Sequence, residues 1–280
     1  MREIHVQEII DAVKILCMQS NYFLSEDIRD ELEKAVKKEE KELPKDILEK
    51  ILENADIAKS EQVPMCQDTG MACIFVEIGQ EVHVIGGSLK DGINEGVRRG
   101  YSEGYLRKSV VKDPLRRTNT GDNTPAVINY EIVEGDKLKI VFAPKGFGSE
   151  NMSQVKMLKP SDGIEGVKAF VIKTVKEAGS NPCPPIVVGI GIGGTFEKAA
   201  LLAKKALLRP INTLNKDEYY SSLEQELLEL INSTGIGPQG FGGVTTALGV
   251  NIEVYPTHIA GLPVAVNINC HATRHAEIQL

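Results

Sequence analysis

The sequence predicts a mixed α/β fold in which a helical N-terminal block precedes an α/β body. Three observations carry this. Apolar residues recur at helical spacing through the first 60 positions. Beyond Val63, short apolar runs bounded by glycine alternate with longer amphipathic segments. The chain has 280 residues and is 42% hydrophobic and 25% charged, which is enough to bury a sizeable core. The expected organisation is a helical block at 1–60 and a body at 61–280 that holds the functional site, with one continuous domain as the alternative reading.

In order along the chain, Ile9, Ile10, Val13, Ile15 and Leu16 mark a first helix, with Cys17 in its apolar pattern as a core thiol. Leu24 to Ile28 opens a second helix with Ser25 as N-cap, and Val36 to Glu42 mixes both charges, as a solvated helix face does. Pro44 should end that helix, and a third should run from Lys45 to Ser60. Met71–Ile78 and Val82–Ile85 read as strands between glycines, with Cys73 as a second core thiol. A helix is expected over Lys90–Arg107. Val127–Val133 and Lys137–Phe142 suggest a hairpin turned at Glu134-Gly135-Asp136. Helices are expected at Gly163–Ala178, Phe196–Leu208 and Tyr219–Ile231, and strands at Ile186–Ile190, Val250–Val254 and Val264–Ile268. No internal repeat or linker interrupts this pattern.

Composition excludes several function classes. No run approaches the roughly 20 apolar residues that span a bilayer, and the N-terminus lacks the charged and then apolar pattern of a signal peptide, so a cytoplasmic location is expected. A net charge of −7 without a long basic run argues against nucleic acid and against an anionic membrane surface. Five cysteines, an odd number spread from position 17 to 270, do not form a secreted disulfide framework.

The candidate chemistry lies on turns. Cys183 is bracketed by prolines in Asn181-Pro182-Cys183-Pro184-Pro185. Cys66 follows Pro64 and precedes Gln67-Asp68-Thr69-Gly70, and Cys270 ends the last apolar run just ahead of His271, Arg274 and His275. Spacing alone leaves two readings open, unrelated single thiols or a three-thiolate metal site, because no pair forms CxxC. Gly189-Ile190-Gly191-Ile192-Gly193-Gly194 matches GxGxxG between an expected strand and helix, so a dinucleotide-dependent oxidoreductase stays open beside a close strand-to-helix turn. Against the nucleotide, no carboxylate precedes Asp217 in the stretch where a ribose partner belongs. Arg107, Arg116, Arg117 and Arg274 are candidates for a bidentate grip on a carboxylate. His258 sits on a turn bounded by Pro256 and Gly261, where a histidine faces a cavity more readily than it fills a core.

Taken together, Pro64-Met65-Cys66-Gln67-Asp68-Thr69-Gly70, Asn119-Thr120-Gly121-Asp122-Asn123-Thr124-Pro125, Lys145-Gly146-Phe147-Gly148-Ser149-Glu150-Asn151, the Asn181–Pro185 and Gly189–Lys198 segments and Asn269-Cys270-His271 resemble the iron–sulfur class I fumarate hydratases and L-tartrate dehydratase alpha subunits. The match runs through nearly the whole chain in order. It implies that Cys66, Cys183 and Cys270 are the three protein ligands of a [4Fe–4S] cluster, leaving one iron open as a Lewis acid. The implied reaction is the reversible hydration of fumarate to malate, with L-tartrate dehydration as the alternative. Asp68 is then the candidate for proton transfer at the departing hydroxyl, and His258 for substrate binding or proton relay. Gln67, Arg107, Gly148 and Ser149 are the candidates for holding substrate. Phe147 departs from the pattern, standing where many relatives have glycine.

The resemblance also bears on partners. In single-chain relatives a second domain follows the third cysteine motif, whereas this sequence stops at Leu280. The chain therefore reads as the separate alpha subunit of a two-subunit enzyme, expected as an alpha2-beta2 heterotetramer that needs its beta subunit for activity.

Overall fold

The computed structural model describes all residues from Met1 to Leu280. It confirms a mixed α/β chain, divided into two compact units. One comprises Met1–Leu24, Asn54–Phe147 and Arg274–Leu280, and the other Ser25–Glu53 and Gly148–Thr273.

The first unit opens on β1 (Arg2–His5), a strand the sequence pattern did not suggest, which runs directly into α1 (Val6–Tyr22). His5 ends the strand and caps the helix: its Nδ1 accepts from the Gln7 N–H at 3.1 Å, and the Glu8 carboxylate accepts from the His5 N–H at 3.0 Å. β2 (Met71–Gly79) and β3 (Val82–Ile85) follow, and β1 pairs parallel with β3. α4 (Leu89–Glu103) is shorter than expected, ending at Gly104, whose N–H bonds the Gly100 carbonyl. Its glycines at positions 92, 96 and 100 form one row against α1. A Cβ on Gly96 would come within 2.7 Å of the Val13 Cβ, and one on Gly100 within 2.6 Å of the Cys17 Cβ. Only bare backbone permits that approach. Cys17 is fully buried there, and burial pushes its thiol well up from the ordinary range.

The main sheet of this unit contains β4 (Val127–Val133), β5 (Leu138–Lys145) and β10 (Ala276–Gln279), in the order β10-β5-β2-β4. The expected β4–β5 hairpin does not form. β2 lies between the two strands, parallel to β4 and antiparallel to β5. The reason lies in β2 itself, whose run Ala72–Val76 is buried throughout and takes a ladder on both edges. The Glu134–Lys137 connection wraps over its end instead: the N–H groups of Gly79, Gln80 and Glu81 bond the carbonyls of Lys137, Val133 and Gly135 at 2.8, 2.9 and 3.0 Å. Cys73 is buried within β2.

The second unit includes α2 (Glu26–Lys38) and the opening of α3 (Glu42–Glu61), while the last turns of α3 belong to the first. The helices of residues 1–60 are thus shared between the units. Two carboxylates hold α2 in its unit: Asp27 accepts from the Ile211 N–H at 2.9 Å, and buried Glu39 accepts from the Val244 N–H at 2.8 Å. Ser25 occupies the N-cap position, although its side chain makes no cap bond. Pro44 lies inside the first turn of α3 rather than ending α2, at a place where its missing N–H is not needed.

After α5 (Phe147–Glu150), the unit continues through β6 (Gln154–Leu158), α6 (Gly163–Ala178), β7 (Ile186–Gly193), α7 (Phe196–Ala206), α8 (Glu218–Asn232), β8 (Ala247–Tyr255) and β9 (Leu262–Asn269). The sheet order is β6-β9-β7-β8, with β7 parallel to β8 and antiparallel to β9. Strand alternation on β7 explains the glycine pattern. Ile186, Val188 and Ile190 enter the core shared with α6 and α8, while the opposite face presents Gly189 and Gly191 to α7. A Cβ on Gly189 would lie 2.2 Å from the Ala203 carbonyl oxygen, and one on Gly191 would lie 2.1 Å from that of Ala199. These glycines are in a strand. They bring a helix close, and the dinucleotide turn read from GxGxxG is absent.

Candidate functional site

In the first unit, the Cys66–Gly70 turn gathers most of the candidate residues assigned there. Asp68 is its hub. Asp68 Oδ1 accepts from the Gly70 N–H at 3.0 Å and Oδ2 from the Phe147 N–H at 2.9 Å, while the Asp68 carbonyl accepts from Arg274 Nη2 at 2.6 Å. Arg274 is buried. The sequence suggested it for gripping a carboxylate, but here it latches the backbone beside Asp68. Phe147 reaches this turn through its amide, so the side-chain difference from relatives does not prevent the bond.

Thr69 ties the same turn to Arg107. The Arg107 N–H donates to Thr69 Oγ1 at 2.9 Å, and that hydroxyl donates to the Arg107 carbonyl at 3.2 Å. The Arg107 and Gln67 side chains are exposed. Behind them stands buried Tyr101, from the last turn of α4, with its hydroxyl 2.8 Å from the Thr69 carbonyl and 2.9 Å from that of Gly70. Burial pushes the Tyr101 phenol well above its ordinary range, so it stays a donor. Asn123, fully buried, completes the support by donating to the Gly70 carbonyl at 3.2 Å and accepting from the N–H groups of Ser109 and Val110. Sequence reasoning missed Tyr101 and the bracing role of Asn123. Asp122, beside it, is pushed up by partial burial, but the Thr124 amide and hydroxyl together with Arg98 outweigh that and hold the carboxyl at about 2.

Cys66 is half-buried on this turn. Its sulfur accepts from the Asp68 N–H at 3.4 Å and lies 3.3 Å from Gln67 Oε1.

In the second unit, the antiparallel pairing of Val187 with Asn269 puts Cys183, just before β7, and Cys270, just after β9, at one end of the sheet. The Cys183 carbonyl accepts from the His271 N–H at 3.4 Å and lies 2.9 Å from His271 Nδ1, which donates to it in one tautomer and accepts from Gln239 Nε2, 3.2 Å away, in the other. Cys183 is exposed and takes a φ of 54°, a left-handed conformation costly for a residue with a side chain. The carbonyl of its neighbour Pro184 accepts from the Gln239 N–H at 2.7 Å and from Gln239 Nε2 at 3.0 Å. Gly148 approaches the same turn, since a Cβ on it would lie 3.6 Å from the Asn181 carbonyl oxygen. Ser149 is buried, and the segment is pinned through Glu150, whose carboxylate accepts from Lys204 Nζ at 2.6 Å and from Asn267 Nδ2 at 2.7 Å.

His258 does not join this group. It is exposed on the β8–β9 connection, beyond the pairing of Gly193 with Tyr255 and thus at the opposite end of the sheet from Cys183 and Cys270. Six residue steps of β7, at about 3.3 Å each, put roughly 20 Å between the two ends. Its Nδ1 accepts from the Ala260 N–H at 3.2 Å. The ring borders a largely apolar cavity of about 350 Å³ lined by Ile164, Ile192, Tyr219, Tyr220 and Leu223.

No group of three or more His, Cys, Asp or Glu side chains stands at metal-holding spacing in the chain. The donor chemistry nevertheless fits an iron–sulfur group. Cys66, Cys183 and Cys270 are accessible or half-buried thiols on braced turns, unlike buried Cys17 and Cys73. An amide hydrogen bond to sulfur, as at Cys66, stabilises a thiolate and tunes such centres.

A Methanocaldococcus jannaschii protein named "Putative L(+)-tartrate dehydratase subunit alpha" is 49% identical over 278 residues, which cover 96% of this chain and 96% of that protein. L(+)-tartrate dehydratase subunit alpha of Escherichia coli strain UTI89 is 33% identical over 261 residues, covering 92% of this chain and 86% of that protein. The K12 counterpart is 32% identical over 259 residues. Residues 10–279 match the family described as fumarate hydratase (Fumerase), and with nearly the whole length matched the chain belongs to that family of hydro-lyases.

Proposed function

We propose that the chain is the alpha subunit of a [4Fe–4S]-dependent hydro-lyase that interconverts fumarate and malate, working in the cytoplasm with a separate beta subunit as an alpha2-beta2 assembly. Besides the family, the observation that carries this reading is the braced Cys66–Asp68 turn, where a sulfur accepting an amide N–H is followed at once by a carboxylate fixed from two sides. Cys66, Cys183 and Cys270 would hold the cluster. Bound there, it supplies a Lewis acid at the one iron that lacks a thiolate.

The remaining work falls to the chain's own groups. The exposed Arg107 guanidinium offers a planar fork to a substrate carboxylate. Gly148 and Ser149 offer backbone N–H donors, and Gln67 an amide. Asp68 exchanges a proton with the departing hydroxyl. Each of its oxygens accepts one amide hydrogen and retains a second lone pair, so bracing and proton transfer are compatible. His258 keeps its substrate-binding or relay role only toward a site on another chain of the assembly, because a strand's length separates it from Cys183 and Cys270.

A second reading, dehydration of L-tartrate, is favoured by the names of the relatives. The two substrates are four-carbon dicarboxylates that differ in hydroxylation. The deciding experiment is anaerobic reconstitution of the chain together with its beta subunit, followed by assay on malate, fumarate and L-tartrate without nicotinamide. Turnover of one of these pairs is expected, together with a brown chromophore that Cys183→Ser abolishes. A colourless, folded protein after reconstitution, or turnover that requires nicotinamide, would refute the reading.

A further inference from the structure

Residues 105–119 form an arm in the first unit that none of the chemistry above uses beyond Arg107 at its root. It folds back on itself through an antiparallel bridge between Val111 and Asn119, with the Lys112 N–H on the Thr118 carbonyl at 2.8 Å and the Thr120 N–H on that of Val110 at 2.9 Å. The tip is a turn held by Asp113, whose Oδ1 accepts from the N–H groups of Leu115 and Arg116 at 3.0 and 2.6 Å. Asn123 clamps the base through Ser109 and Val110. The arm is therefore built and braced by its backbone, Asp113 and Asn123, with Arg117 Nη1 adding a bond to the Pro114 carbonyl at 3.4 Å, while the other side chains at its tip take no part.

Those side chains face outward. Leu115 is 90% exposed and Tyr105 is 91% exposed, the latter at a φ of 53°. Between positions 107 and 117 stand five cations, Arg107, Lys108, Lys112, Arg116 and Arg117, against a single acid, Asp113, which is occupied with backbone. Elsewhere Arg29, Arg98, Arg99 and Arg209 are each paired with a carboxylate, whereas none of the five arm cations is in an ion pair. In a chain of net charge −7, this concentration of unmatched positive charge beside protruding apolar groups has the make-up of a recognition surface.

We propose that this arm docks on an acidic face of a protein partner, namely the separate beta subunit, with Leu115 as the apolar anchor and Arg116 and Arg117 as forks for its carboxylates. The inference rests on the two-subunit reading above. A dicarboxylate would use the guanidinium groups but not Leu115 or Tyr105. An anionic bilayer or a nucleic acid would meet the repulsion of the net negative chain, whereas a compact acidic patch on a protein meets only the arm. Arginine and tyrosine are also the residues that dominate protein interfaces. Docking at the tip would act on the site through the root of the arm, since the backbone of Arg107 is bonded to Thr69.

The test measures binding of the full chain to its beta subunit at low and high salt, for the wild type, for Arg116→Glu/Arg117→Glu and for Leu115→Ser. The charge reversal should weaken association at least tenfold at low salt and remove most of its salt dependence. Leu115→Ser should weaken association at both salt concentrations. Melting temperatures of the isolated chains should match the wild type, since all three side chains are exposed. Unchanged affinity and salt slope in the charge reversal would overturn the proposal. So would normal subunit binding combined with lost binding to phosphatidylserine vesicles, which would make the arm a membrane contact. A wild type that does not associate refutes the two-subunit reading and the arm together. A pair that assembles through the arm but turns over neither fumarate nor L-tartrate refutes only the substrate reading.

Discussion

The two units meet the same packing problem from opposite sides. In the first, the helix carries the glycines: α4 presents Gly92, Gly96 and Gly100 to α1. In the second, the strand carries them: β7 presents Gly189 and Gly191 to α7. The difference lies in what waits across the gap. Along α4 the nearest atoms are mainly side chains, Val6, Val13 and Cys17, while along β7 they are the backbone carbonyls of Ala199 and Ala203. At Gly92 the Val6 methyl can rotate away, whereas the Cβ atoms of Val13 and Cys17 are fixed to their helix and the carbonyls facing β7 stand closer still, at 2.1 and 2.2 Å. The β7 seam is accordingly the stiffer of the two, and it leads back to Cys183 at the start of the strand. The α4 seam leads forward to Tyr101 under the Asp68 turn.

The largest effect should follow from filling the β7 seam. In Gly191→Ala the new methyl lies 2.1 Å from the Ala199 carbonyl oxygen and 2.6 Å from the Ala203 nitrogen. Relief requires moving α7 bodily, at a cost of about 3–5 kcal/mol, above the usual range for overpacking. Chemical denaturation should show the loss directly, and iron retention by the Cys183 end should fall with it. A loss under 1 kcal/mol would mean that the seam is soft and that the comparison fails.

That seam also shows where the sequence was legible and where it was not. The GxGxxG pattern was visible, but local pattern cannot distinguish a glycine that admits a phosphate from one that admits a helix, since both need the same missing Cβ. The β4–β5 hairpin was misread for a related reason. Turn residues at Glu134–Asp136 signal a reversal of the chain, not which strand lies alongside, and β2 took both edges. The helices were readable because their period is local, as were Cys17 and Cys73 as core thiols. Cys66, Gln67 and Asp68 stood out by motif. Tyr101 did not, because its hydroxyl finds the Thr69 and Gly70 carbonyls across 32 and 31 residues of sequence. The placement of His258 at the far end of its sheet required the strand directions, which composition does not encode.

Tyr101→Phe probes what the α4 seam delivers. Removing the hydroxyl leaves the Thr69 and Gly70 carbonyls without this donor in a buried setting, a cost of about 1–3 kcal/mol. The Cys66–Gly70 turn should loosen locally, visible as faster amide exchange at Gly70 than at residues of β7. Uniform exchange across both units would show that the turn is held without Tyr101.

Asp122 offers a smaller effect with a pH signature. Its carboxyl joins Arg98 on α4, at 3.0 Å, to the turn ahead of β4, and it is held down at about 2, below the ordinary aspartate range. Because the folded value is depressed, its contribution is present above pH 4 and is lost as pH falls from about 4 to 2. Part of the group is open to solvent, so screening reduces that contribution to on the order of 1 kcal/mol. Asp122→Asn should lower stability by this amount at neutral pH and flatten the acid limb between pH 4 and 2. An acid limb identical to the wild type would remove Asp122 from the bracing of α4.

The smallest effect should come from Gly92→Ala, and it bears most directly on the contrast between the seams. The added Cβ would stand 2.5 Å from Val6 Cγ2, but its next neighbours are 3.6 and 3.7 Å away, at ordinary contact distance. One rotation of Val6, at the half-exposed start of α1, relieves the overlap. Against that cost stands a gain of about 1 kcal/mol from replacing glycine by alanine inside a helix. The two nearly cancel, so stability should stay within about 0.5 kcal/mol of the wild type. Both substitutions add the same methyl group to a buried glycine, and both begin with an overlap of at least half an ångström beyond real Cβ contacts. Comparable losses in Gly92→Ala and Gly191→Ala would show that overlap alone governs tolerance. Opposite behaviour would show that the identity of the opposing atom governs it, a rotatable methyl in one unit and a helix carbonyl in the other.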